Sequence, residues 1–252
     1  MSSPAFSLAG RRALVTGSSQ GIGFALAEAL AIAGAQVVLN GRDAAKLEAA
    51  AGKLRAAGLA GLATAAFDVT DEADVNAKVP ALGPLDILVN NTGIQRRGPL
   101  ETMALADWDA VLKTNLTSAF LVARAVAPAM IARRAGKIIN ICSLMSDLAR
   151  PTTAPYASAK GGLKMLTRAM CAEWARHNVQ VNGIAPGYIL TELTQPLAAD
   201  PNFDTWIKGR TPAGRWGSVS DLTGACVFLA SPAADFVNGQ ILTIDGGLSA
   251  VI

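Results

Sequence analysis

The sequence is poor in the residues from which many active sites are built. It has one histidine, His177, and three scattered cysteines, Cys142, Cys171 and Cys226, among 252 residues. A single histidine excludes a zinc site made of several imidazoles and leaves a Ser-His-Asp triad only that residue to use. Three cysteines, odd in number and far apart, form neither a disulfide framework nor a zinc pattern, so no metal site is expected. Charged residues make up only 16% of the chain, which excludes the disordered, highly charged class. No apolar run approaches the ~20 residues needed to cross a bilayer, and residues 1–14 carry no secretory apolar stretch. The expectation is a cytoplasmic protein with no membrane partner. Basic residues outnumber acidic ones by only 22 to 19. The pairs Arg96-Arg97 and Arg133-Arg134 are too short for a polybasic signal, so nucleic acid is not expected as a partner. A basic patch for a small anion fits the same residues.

What is present is an alternation of strand-like and helix-like segments. Strands are expected over 12–16, 36–40, 62–67, 86–89, 136–142, 180–184 and 240–244. Helices are expected over 21–33, from Asp43 to about 57, after Asp107, and from about 154 to 177. Strands separated by helices of this length predict crossover units and a parallel sheet, the α/β class. Continuous apolar strands such as Ala13-Leu14-Val15 and Ile87-Leu88-Val89 suit a sheet covered on both faces. No linker or repeat divides the chain, so one domain spanning 1–252 is expected. The stretch 188–216, with Pro196, Pro201 and Pro212, reads as a long irregular loop and as a candidate substrate lid.

Between the first strand and the first helix lies Thr16-Gly17-Ser18-Ser19-Gln20-Gly21-Ile22-Gly23. Glycines there permit a tight turn and let backbone N–H groups approach a phosphate, and the helix N-terminus adds its positive dipole end. The placement between strand and helix is the context a nucleotide-binding loop requires. The second strand ends Asn40-Gly41-Arg42. No acidic residue is there to read a ribose 2′-hydroxyl, and a guanidinium suits a 2′-phosphate, which points to NADP over NAD. Asp68, after the third strand, is a candidate for the adenine edge, with helix capping as the alternative role.

Tyr156 and Lys160 stand four apart in a helical stretch and therefore share a face. An ammonium near a phenol favours the phenolate, so a tyrosine pKa lowered from about 10 is expected, giving an acid/base usable near neutrality. Ser143, at the end of the fifth strand, can hydrogen-bond and polarise a carbonyl oxygen.

These residues, together with Asn90-Asn91-Thr92-Gly93, Asn115, Tyr156-Ala157-Ser158-Ala159-Lys160, Pro186-Gly187 with Thr191, and Asp245-Gly246-Gly247, resemble the short-chain dehydrogenase/reductase family over essentially the whole chain. The resemblance implies a doubly wound Rossmann fold with a seven-stranded parallel sheet of order 3-2-1-4-5-6-7 and helices on both faces. It implies hydride transfer between a nicotinamide and a carbonyl or alcohol carbon. Within it, Tyr156 moves the hydroxyl proton, Lys160 binds the nicotinamide ribose and tunes Tyr156, Ser143 orients the substrate oxygen, and Asn115 holds a water in a relay to Lys160. The cofactor would be lined by Gly17, Ser19, Gln20, Gly21, Ile22, Gly23, Arg42, Asp68, Val69, Asn90, Gly93, Tyr156, Lys160, Pro186, Gly187, Ile189 and Thr191. The family's tetramers imply a homotetramer. Two departures stand out: Thr92 replaces the usual alanine, and Gln20 stands where NADP users often carry a basic residue, which leaves NAD open.

The segments Gly93–Leu100, Asn140–Ser143 and Arg210–Gly217 look like those of family members that interconvert D-gluconate and 5-keto-D-gluconate. A sugar acid carries a carboxylate, and arginine is the residue suited to clamp it. Arg97 or Arg96 could reach it, with Arg150 a weaker candidate. Tyr188 and Trp206 are candidate lid residues on the substrate, with Ser143 and Tyr156 at its oxygen. Two other readings stay open at this level: reduction of another ketone such as a 3-oxoacyl thioester, and a nucleotide-sensing protein that has kept the fold without the chemistry.

Overall fold

The computed structural model describes residues 4–192 and 194–251. Seven strands, β1 (Arg12–Val15), β2 (Gln36–Gly41), β3 (Leu62–Ala66), β4 (Ile87–Asn90), β5 (Gly136–Ile141), β6 (Val179–Pro186) and β7 (Ile241–Ile244), form one sheet. Its order is β3-β2-β1-β4-β5-β6-β7 and every pairing is parallel. The helices are α1 (Gly21–Ile32), α2 (Ala44–Ala56), α3 (Glu72–Ala81), α4 (Leu105–Leu112), α5 (Ser118–Arg133), α6 (Ala154–Trp174), α7 (Gln195–Ala198), α8 (Pro201–Arg210) and α9 (Thr223–Ala230).

Side chains alternate across each strand, so the apolar strands supply two cores. Val15, Leu39, Val89 and Ile139 pack with Leu26 and Leu30 of α1, Leu47 and Leu54 of α2, and Leu229 of α9. Leu14, Val38, Leu88, Ile138 and Val181 point the other way and meet Val75 of α3, Val122 and Met130 of α5, and Met170 of α6. Leu14, Leu39 and Leu88 are among the largest fully buried side chains, each contributing about 1.5–3 kcal/mol by burial. The strand order reverses at β1, between β2 and β4, and opens the crevice where α/β sheets bind ligands.

Several helix starts follow their capping residues. The Asp43 carboxylate accepts from the amides of Ala45 and Lys46 at 2.9 and 3.1 Å, and Asp71 does the same for Asp74 at 3.1 Å. The helix expected after Asp107 begins two residues earlier and is interrupted by a π-helical turn over Lys113–Thr117. The combined run Leu105–Arg133 is long and apolar enough to cross a membrane by length and composition, although half of its apolar window is buried inside the fold. The shorter apolar runs read from the sequence hid this, because α4 and α5 join through the π turn.

Two expectations are corrected. Residues 188–216 are not irregular throughout: they contain α7 and α8, and α8 is started by Asp200, whose carboxylate accepts from Asn202 N at 3.0 Å, with Pro201 in its first turn. Helix α3 was not among the expected helices. It is short and polar, contains Pro80, and turns only Val75 and Val79 fully inward.

Candidate active site

The loop after β1 is stitched to the loop after β4. Thr16 Oγ1 accepts from the amides of Asn91 and Thr92 at 2.9 and 3.2 Å, and Asn91 Nδ2 donates to the carbonyls of Thr16 and Gly17, both at 3.0 Å. Two glycines are dictated by this closeness. Gly17 has a φ of +61°, and a Cβ on Gly23 would stand 2.3 Å from the Gly17 carbonyl oxygen and 2.4 Å from Asn91 Nδ2. Gln20, at the N-cap of α1, makes no capping bond; its side chain reaches Glu192 instead. The N–H groups at the start of this helix are therefore free of a side-chain cap and lie along Ser19, Gln20, Gly21 and Ile22.

At the end of β2, Arg42 has a side chain 80% exposed, with only a loose pairing to Asp68 at 4.0 Å. The Asp68 carboxylate is already engaged by the amide and hydroxyl of Thr70, both at 2.8 Å. Buried Asn40 braces the two strand ends by donating to the carbonyls of Ala65 and Phe67 at 3.1 and 3.2 Å. A dinucleotide fits this frame: a loop with no room for a Cβ at Gly23, uncapped helix amides for a pyrophosphate, and an exposed, loosely paired guanidinium beyond β2 for a 2′-phosphate.

Some of the residues expected to line a cofactor turn their side chains elsewhere. Asn90 donates to Asn140 Oδ1 at 2.9 Å, and Asn140 donates to Thr167 Oγ1 at 2.9 Å, so this buried chain ties β4 and β5 to α6. Val69 and Ile189 are each 4% exposed. All three could meet a cofactor only through the main chain or their remaining edge. Gly187 donates to the carbonyl of Ile244 at 2.9 Å, which fixes the end of β6 against β7. The Thr191 amide donates to Thr194 Oγ1 at 2.9 Å in the turn that begins α7.

Ser143, Tyr156 and Lys160 come together at the carboxyl end of β5. Tyr156 and Lys160 lie one turn apart on α6, with the Lys160 nitrogen 5.7 Å from the Tyr156 ring centroid. Lys160 is 3% exposed and donates to the Ile141 carbonyl at 2.5 Å. Burial pushes its ammonium down to about 8. The tyrosine differs from expectation: burial raises the Tyr156 pKa, and the nearby Ser143 hydroxyl offsets only part of that rise. Desolvation of the phenolate sets the direction, and the Lys160 ammonium makes its hydrogen bond to Ile141. Ser143 Oγ accepts from the Met145 amide at 3.1 Å, which fixes its rotamer.

Asn115 sits within the π turn, 1% exposed. Its Oδ1 accepts from Ile94 N at 2.7 Å and its Nδ2 donates to the Ile94 carbonyl at 2.9 Å. The amide thus pins the segment that follows Gly93.

The arginine pair divides. Arg96 is paired with Asp107 of α4 at 3.6 Å. Arg97 has no acidic partner among the described residues; its pKa is lowered by burial and then by the repulsion of Arg150. Arg150 donates to the Tyr188 hydroxyl at 3.1 Å and lies over the Phe203 ring at 4.8 Å. Tyr188 is ringed edge-on by Phe203, Trp206 and Trp216 at 5.5, 6.4 and 5.8 Å. This cluster packs on Leu144, the neighbour of Ser143. Sequence reading did not find Phe203 or Trp216 as part of it. The available signal was the concentration of rings in one segment of a chain with only 5% aromatics.

Comparison with known proteins gives the family. A family model described as enoyl-(acyl carrier protein) reductase matches residues 17–249. The chain belongs to the short-chain dehydrogenase/reductase family. It is similar to a gluconate 5-dehydrogenase of Gluconobacter oxydans, with 54% identity over 97% of this chain and 96% of the relative. It is similar to a 5-keto-D-gluconate 5-reductase of Escherichia coli K12, with 51% identity over 98% of each chain. Among solved structures, a gluconate 5-dehydrogenase from Burkholderia cenocepacia, in complex with NADP and tartrate, superposes with a TM-score of 0.96 at 53% identity over 99% of each chain.

Proposed function

We propose that this protein is an NADP-dependent oxidoreductase that interconverts 5-keto-D-gluconate and D-gluconate. The observation that carries the reading is the meeting of Ser143, Tyr156 and Lys160 at the carboxyl end of the sheet that also carries the glycine loop, with Arg97 free of any acidic partner among the described residues. The Gluconobacter and Escherichia relatives are named for this conversion, and the Burkholderia structure was obtained with NADP.

The dinucleotide, when bound, supplies or accepts the hydride. The glycine loop and the start of α1 hold its pyrophosphate, and Arg42 holds the 2′-phosphate. Tyr156 Oη gives its proton to the oxygen of the keto group during reduction, and its raised pKa keeps that proton in place until the carbonyl oxygen gains charge. The Ser143 hydroxyl donates to the same oxygen and orients it. Lys160, anchored on Ile141, lies behind the tyrosine and stabilises the phenolate as it forms. Arg97 binds the distal carboxylate, for which a guanidinium offers two parallel N–H donors.

The rest of the molecule supports this reading. The chain works as one domain, with 188–216 as a lid whose aromatic cluster covers the sugar. The three thiols are free, which suits a reducing compartment such as the cytoplasm. Leu105, Phe120 and Met165 are 72%, 41% and 58% exposed on neighbouring α4, α5 and α6, an apolar surface suited to pairing of subunits in a homotetramer. The deciding experiment follows NADPH and NADH oxidation over 5-keto-D-gluconate, neutral ketoses and a 3-oxoacyl thioester. Preference for NADPH and the sugar acid is expected. Turnover of the thioester in preference to the sugar acid would replace the substrate, and no turnover of any of them would remove the chemistry.

A further inference from the structure

Arg150, the weaker carboxylate candidate of the sequence, has no part in the mechanism above, yet its position is built with care. The segment that carries it leaves β5 and turns back to start α6. Within it, Thr153 Oγ1 donates to the Arg150 carbonyl at 2.8 Å, and Gly98 N donates to the Thr152 carbonyl at 3.3 Å, which draws the Arg97–Gly98 loop alongside. Thr152 adopts a φ of +69°. A β-branched residue in the left-handed region is strained, and such strain persists only where the surroundings impose it. The guanidinium is gripped from the opposite side by the Tyr188 hydroxyl and the Phe203 face.

The grip uses one of five N–H donors and one face of the plane, leaving the remaining edge to a ligand. No carboxylate pairs with Arg150 or with Arg97 among the described residues. Arg97 is exposed and Arg150 half-buried, and the two like charges stand together with no acid between them, which leaves a positive edge that a shared anion would complete. A purely structural anchor for the 188–216 segment would be served as well by an uncharged residue.

We infer that Arg150 is the second arm of a two-arginine carboxylate subsite, sharing the substrate's anionic end with Arg97 and coupling that contact to the Tyr188–Phe203 cluster. The inference deepens the sugar-acid reading and rests on it for the identity of the substrate, though not for the existence of the subsite. It makes Arg150 a specificity-determining residue that selects anionic over neutral polyhydroxy ketones.

The test compares wild type with Arg150→Met, Arg150→Lys and Tyr188→Phe. With NADPH, Arg150→Met should raise the KM for 5-keto-D-gluconate about tenfold, with the loss falling on KM rather than kcat, and should lower the preference for it over D-fructose to a similar degree. Arg150→Lys should recover part of that preference, since it restores charge without the fork. Tyr188→Phe, which removes only the hydroxyl that holds Arg150, should raise the same KM several-fold and guards against misfolding of the first variant. Equal losses on the anionic and neutral ketones, or an unchanged KM, overturn the inference and leave Arg150 an anchor. Calorimetric titration of tartrate into the NADP-loaded protein reads the subsite without turnover. Weaker tartrate binding by Arg150→Met in a protein that does not reduce 5-keto-D-gluconate would defeat the proposed substrate and keep the subsite. Equal affinity in the two proteins would defeat the subsite whatever the substrate.

Discussion

The floor of the cleft and its rim are made in opposite ways. Lys160 on the floor is 3% exposed, and it is held by a main-chain carbonyl of the sheet itself. At the rim, Arg42 is 80% exposed and Arg97 and Arg150 have no acidic partner among the described residues. Groups on the floor have positions and protonation states set by the core, so their work does not depend on a ligand to organise them. Groups on the rim are left electrostatically unfinished, and a charged ligand completes them. On the proposed function, the floor is where rate would be decided and the rim where choice among ligands would be decided.

The largest effect that can break this division is expected at Tyr156. Tyr156→Phe removes the proton donor and keeps the ring, so kcat should fall by about 10²- to 10⁴-fold, while NADP affinity, measured by fluorescence titration, stays near the wild-type value. A comparable fall in cofactor affinity would show that floor and rim are not separable. Next in size is Arg42→Ala. Loss of a charge-assisted contact worth about 1.5–3 kcal/mol should weaken NADP by roughly 10- to 150-fold and leave NAD nearly untouched. Equal effects on both cofactors would take Arg42 away from the 2′-phosphate.

The smallest effect concerns the cost of the floor itself. The pKa of Lys160 is lowered by burial to about 8 from an ordinary lysine value of 10.5. Between these values the unfolded chain binds more protons than the native one, so this group makes stability rise with pH across the window. Below about 8 both states carry the charge, and the full cost of burying it is present. Lys160→Met should therefore melt above wild type at pH 7, and the gap should narrow by a few degrees as pH approaches 10. A gap that does not change with pH would mean that the buried amine keeps its ordinary pKa, holding its proton in the fold as firmly as in the unfolded chain.

The same contrast explains what could be read in the sequence. The strand boundaries were legible to within about two residues because buried parallel strands are written as continuous apolar runs. The Tyr156–Lys160 spacing and the Gly17–Gly23 loop were legible because helix pitch and backbone closeness demand those residues at those intervals. Helix α3 was not, because Val75 and Val79 give too little periodicity against a polar background. The fates of Arg96 and Arg97 were also not legible. Adjacent and identical in type, one turns to Asp107 and the other to Arg150, and that choice is made by partners on α4 and before α6. The direction of the Tyr156 shift could not be seen either, since it depends on how deeply the phenol is buried.

The ring around Tyr188 also gives the molecule an optical property. Two of its four tryptophans, Trp206 and Trp216, lie there, the first 49% exposed and the second 6%. Indole emission responds to wetting and overlaps the absorbance of a reduced nicotinamide. Any displacement of residues 188–216 over a loaded cleft would therefore register in the protein's own fluorescence, with no dye attached.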